Sequence, residues 1–172
     1  MKFFSHEIFC SKLPVFANVF GLDNYRVTTT RFSSYTKEDN RGLQVLQNNV
    51  MRLVTGAERR TPTTALLKLT NTLSVQQLVA YQTLMMVKKV ISTSKPAYLA
   101  RRLQVNNQDR DKVQGTIKAA SHSLTITRGG FIVRGTQLFN SLPLPLRTEL
   151  DLKKFRGTLR TWVEQNIPAK PL

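Results

Sequence analysis

From Thr36 to Leu103, and again from Phe131 to Asn166, large apolar residues recur three and four positions apart, between residues that cap or stop helices. Only an α-helix brings such positions to one face, so a chain of this kind folds as packed helices. The first unit is "TKEDNRGLQVLQNNVMRLVTG". Thr36 serves as N-cap with Asp39 three residues on, a variant of the capping box, and Leu43, Leu46, Val50 and Leu53 form one stripe that Gly56 ends. Gly42 inside this unit costs up to about 1 kcal/mol against Ala.

The next unit, "TPTTALLKLTN", takes Thr61 as cap and Pro62 as first helical residue, where a missing N–H is harmless. A third starts at Ser74, with Gln77 supplying the reciprocal bond. It continues through "LVAYQTLMMVKKVIS", apolar nearly all round, and is expected to be the central core helix. Lys88 and Lys89 fall in its last turn, where the helix dipole favours cations. "KPAYLARRL" makes a short fourth helix. Residues 105–121 lose periodicity and read as a polar loop or linker, and "SLTITR" alternates like a strand. In "GGFIVRGTQLFNSLP", Phe131, Leu138 and Leu142 suit a helix ended by Pro143, with a Gly-Gly hairpin as the rival. Between Asp151 and Asn166, Leu152, Phe155, Leu159, Trp162 and Val163 form one stripe, while Lys153, Arg156 and Arg160 share another face.

The expected fold class is therefore mainly α. A compact helical domain spans 36–104, a loop or linker 105–121 and a C-terminal helical segment 122–172, with at most one short β element near 123–128. Residues 1–35 form an irregular, aromatic-rich segment that reads as the remnant of a larger domain. Its opening, "MKFFSHEIFCSKLPVF", is too interrupted by polar residues for a signal peptide, and no stretch approaches a membrane span. The expectation is an intracellular chain, nuclear or cytoplasmic, without a membrane partner.

Charge narrows the partner. Among 172 residues, 26 Lys and Arg face 10 Asp and Glu, a net of +16, while 41% hydrophobic residues suffice for a core. Such an excess points to a polyanion, with nucleic acid ahead of an acidic membrane or an acidic protein. Enzymatic chemistry finds no foothold in the pattern. Cys10 is the single cysteine, His6 and His122 are far apart, and Asp109/Asp111 sit in a polar loop beside Arg110 and Lys112. No metal-ligand spacing, nucleophilic triad or phosphate-cradling loop is present, and "RGG" at 128–130 occurs once. The chain is expected to be no enzyme by itself, and to need no metal, cofactor or small-molecule substrate. Its paired basics are the candidate site: Arg59, Arg60, Lys88, Lys89, Arg101, Arg102, Lys153 and Lys154, joined by Arg156 and Arg160. If about six to ten of them met phosphates, affinity would fall roughly 10³–10⁵-fold between about 50 and 200 mM salt. Tyr81, Tyr98 and Trp162 are candidates for base stacking, although Trp162 lies on the apolar stripe.

"RGTQLFNSLP" (134–143), followed by Arg147 and "LKKFRGTLRTWV", resembles the closing segment of jockey-like non-LTR retrotransposon reverse transcriptases. The shared elements stand here as Arg134-Gly135, Leu138-Phe139-Asn140, Leu142-Pro143, Arg147 and Lys154-Phe155-Arg156. Upstream, "LPVFANVFGLDNY", "LQVLQNNVMRLVTG", "TPTTALLKL", "LSVQQLVAYQTL" and "KPAYLARRL" follow in the same order. The resemblance covers most of the chain from about Ser11. It implies a thumb-proximal, post-polymerase part that grips template RNA or primer–template duplex, with the rest of a reverse transcriptase as a further partner. The Tyr-x-Asp-Asp turn of the polymerase core and the preceding endonuclease are missing, so no catalytic residue carries over. The implied role of "RGTQLFNSLP" is structural: Arg134-Gly135 for close packing, Leu138 and Phe139 for the core, Pro143 as terminator. Two other readings stand beside the binding module. One is a translated relic of a decayed element, with exposed apolar surface; the other is a basic protein-interaction module.

Overall fold

The computed structural model describes residues 37–103, 115–117 and 130–169, and these are mainly helical. Helix α1 is Lys37–Thr55, α2 Thr63–Thr70, α3 Val75–Thr93, α4 Ala97–Ala100, α5 Phe131–Asn140, α6 Leu144–Thr148 and α7 Leu152–Asn166. The expected segment 1–35, the Thr36 cap, the β element near 123–128 and most of the loop 105–121 lie outside the described residues.

Helix α3 is the hub, as its near-uniform apolarity led us to expect. Its Leu84, Val87 and Val90 pack with Leu99, Phe131, Phe139, Leu142, Leu146, Phe155, Leu159 and Val163 in one buried cluster. Its start is fixed by the expected capping box: Ser74 Oγ accepts from Gln77 N, and Gln77 Oε1 accepts from Ser74 N. Its end comes at Thr93, with Ser94 in the left-handed region at φ 53. Lys88 and Lys89 therefore sit before the last turn rather than in it.

Helix α7 runs antiparallel to α3. Early in α3, Gln77 Nε2 donates to Ile167 O at the far end of α7, whereas late in α3 the Lys88 ammonium lies over the Phe155 ring near the start of α7. Asp151 caps α7 by accepting from Lys153 N at 2.8 Å. The stripe of Phe155, Leu159 and Val163 is fully buried, with Leu152 and Trp162 half-buried.

Between α3 and α5 the backbones come close. A Cβ built on Gly135 would stand 2.9 Å from Val87 Cγ2 and 3.6 Å from Thr83 Cγ2, so the smallest residue is what allows the two helices to touch here. The segment 131–140 is a helix with Gly130 at its N-cap, not the second strand of a hairpin. Asn140 completes it. Its Oδ1 accepts from Ile117 N at 2.9 Å and its Nδ2 donates to Ile117 O at 3.0 Å, so one amide side chain satisfies both backbone groups of a buried residue.

Two local expectations need correction. Helix α2 begins at Thr63 with Pro62 as N-cap in an extended conformation, so Thr61 is not the cap. The Thr61 carbonyl instead accepts from Arg52, and Thr63 Oγ1 accepts from Asn48 Nδ2. The second concerns α1. An apolar stripe ordinarily faces the core, yet here Gln44 and Met51 are buried while Leu46 and Leu53 are 54% and 84% exposed. The polar side points inward because it is hydrogen-bonded: Gln44 Oε1 accepts from Val75 N, and Gln47 Nε2 donates to Leu73 O. These bonds satisfy the entry to α3, and they leave Leu46 and Leu53 outward with Leu43 and Val50 half-buried.

Candidate nucleic-acid interface

Of the ten basic residues expected to meet phosphate, Arg59, Arg60, Lys89, Arg101, Arg102, Lys153, Lys154, Arg156 and Arg160 are exposed. Several share one end of the bundle. Lys89 lies near the end of α3, Arg101 and Arg102 close α4 just beyond it, and Lys153 and Lys154 open α7, whose first turn packs beside Lys88. Arg156 follows one turn along α7. The acidic Glu149 and Asp151 occur at the same end, each already engaged: Glu149 Oε1 accepts from Asp151 N, and Asp151 caps α7. Arg59 and Arg60 stand apart, in the α1–α2 connection.

Lys88 does not belong to this surface. It is 4% exposed, and its Nζ donates to Arg147 O at 2.8 Å, 5.3 Å from the Phe155 ring centroid. A carbonyl and an aromatic face thus replace water around the ammonium ion. Burial pushes its pKa below 10.5, and the nearby Glu149 carboxylate only partly restores it. Lys88 ties α6 and α7 to α3, and is corrected here from a phosphate contact to a structural cation.

Arg160 is divided between roles. Its Nη2 donates to both Asn71 O and Asn71 Oδ1, at 2.6 and 2.8 Å, and its Nε donates to Glu164. Asn71 is the left-handed C-cap of α2 at φ 48, so Arg160 closes the end of that helix on α7. The same contact brings exposed Lys68, in the last turn of α2, towards α7. Lys68, Arg41 and Lys95 are exposed cations that a search for paired basics passes over; helical facing, not adjacency, was the signal that could have found Lys68. Of the stacking candidates, Trp162 and Tyr81 pack against the main cluster, while Tyr98 is exposed.

Among the described residues no group of His, Cys, Asp and Glu is arranged to hold a metal ion, and no helix is long and apolar enough to cross a membrane. An open cleft of about 410 Å³ between α3 and α5 is lined by Gln76, Thr83, Gln137 and Leu138, together with Asn40 and Ile167. Comparison with protein-family models, curated proteins and solved structures gives no match.

Proposed function

We propose that this chain is a non-catalytic, helical nucleic-acid-binding module that grips the phosphate backbone of RNA or DNA without reading sequence, as part of a reverse transcriptase of the jockey-like kind it resembles. What carries the reading is the gathering of Lys89, Arg101, Arg102, Lys153, Lys154 and Arg156 at one end of the bundle, in a chain of net charge +16. Cations presented in this way hold phosphates through charge, and carry no base code. The test is binding of a labelled single-stranded RNA, followed by fluorescence anisotropy across about 50–200 mM salt. Six phosphate contacts give a slope of log affinity against log salt of about −4, and Lys153→Glu/Lys154→Glu/Arg156→Glu should flatten it by about 2. Unchanged binding and slope in that variant would sink the reading.

The exposure of Leu46 and Leu53 on α1 favours a second reading, a relic of a decayed element with no selected function, since open apolar surface is what a piece of a larger protein presents. That reading expects salt-indifferent, weak association with RNA and no effect of the triple substitution.

A further inference from the structure

We infer that the outward stripe of α1 is an internal docking surface, covered by this chain's own segment 1–35. The observation is the inverted helix. Leu46 and Leu53, with Val45 and Val54 of the same helix, are all exposed, while polar Gln44 and Gln47 take the inner side. Leu43, Leu46, Val50 and Leu53 follow the three-four spacing by which one helix receives another apolar segment. Isolated exposed leucines need no explanation, but four open apolar side chains on one helix, with Leu43 and Val50 half-buried in the same stripe, do.

The occupant follows from tethering and composition. Residues 1–35 are joined through Thr36 alone to Lys37, the first residue of α1, and carry Phe3, Phe4, Phe9, Phe16 and Phe20 among other apolar side chains. From Lys37 to Leu53 is about 24 Å at about 1.5 Å per residue, a distance that about eight extended residues span. The segment thus reaches the whole stripe with length to spare, at the effective concentration of a short tether, on the order of millimolar. A second copy of the chain has no such advantage and meets the repulsion of two bodies each at +16. The inference does not rest on nucleic-acid binding and stands or falls separately from it.

Cys10, the single cysteine, provides the probe. A nitroxide attached there in the full-length chain should broaden the methyl resonances of Leu46 and Leu53 and spare those of Leu150, an exposed leucine just before α7. Leu46→Glu/Leu53→Glu, two changes at open positions, should abolish the broadening, read in that variant on the neighbouring exposed methyls of Val45 and Val54; so should Phe16→Ser/Phe20→Ser, read on Leu46 and Leu53 themselves. Mixing spin-labelled chains with isotope-labelled, nitroxide-free ones separates contact within a chain from contact between chains. Broadening only in the mixture would overturn the inference in favour of a dimer. Equal effects at Leu46, Leu53 and Leu150, or none, would overturn it in favour of an outside partner.

Discussion

Gly135 offers the sharpest test of how α3 and α5 are held together. An Ala at this position places its Cβ 2.9 Å from Val87 Cγ2. Val87 is fully buried and β-branched, so its χ1 has little freedom within a helix and the methyl cannot swing aside. Overpacking of this sort costs about 1–3 kcal/mol, while Ala in place of Gly inside a helix returns up to about 1 kcal/mol. With a stiff neighbour the clash dominates, and Gly135→Ala should lose about 1–2 kcal/mol. Gly157 of α7 is the control, since a Cβ there meets nothing within 4 Å. Gly157→Ala should gain about 0.5–1 kcal/mol, so the same chemical change should have opposite signs at two helix positions. Urea unfolding followed by far-UV circular dichroism reads both as midpoint shifts at constant slope. In the Gly135→Ala background, Val87→Ala should cost less than it does alone, because it removes the clashing methyl. A Gly135→Ala midpoint at or above that of the parent would refute the close approach of the two helices.

Asn140→Ala should leave the N–H and C=O of Ile117 without partners, costing about 1–3 kcal/mol. Faster hydrogen exchange at the Ile117 amide checks it. Lys88 has a folded pKa below 10.5, so the unfolded state binds more protons in that window and stability should rise as pH climbs towards 10.5. Lys88→Met should remove that slope in urea melts taken across the alkaline range. Arg160→Gln should lower the unfolding midpoint through loss of its bonds to Asn71, yet weaken RNA binding less than Lys153→Gln; equal effects on binding would return Arg160 to the phosphate-contacting set.

The sequence disclosed elements better than it disclosed facing. The Ser74–Gln77 box and the Phe155/Leu159/Val163 stripe are local patterns, and local patterns need only neighbours a few residues away. The orientation of α1 was not legible. Apolar spacing alone marks Leu43, Leu46, Val50 and Leu53 as the inner face, and what leaves Leu46 and Leu53 open is a pair of glutamines bonding to backbone more than twenty residues on. Charge behaved in the same way. Lys88 and Lys89 are identical neighbours in sequence, but about 100° of helical rotation separates a buried structural cation from an exposed one. Gly135 was read for close packing from the Arg-Gly pair, yet its partners on α3 could only come from the fold.

The amide clamp on Ile117 also governs how the connection between α4 and α5 can change in length. Leu103, Ile117 and Phe131 are each buried in the same cluster, so the long crossing is moored at its middle as well as at both banks. Insertions that displace Ile117 itself are the ones this fold would feel, because they would break a buried contact and both of its backbone hydrogen bonds to Asn140 at once.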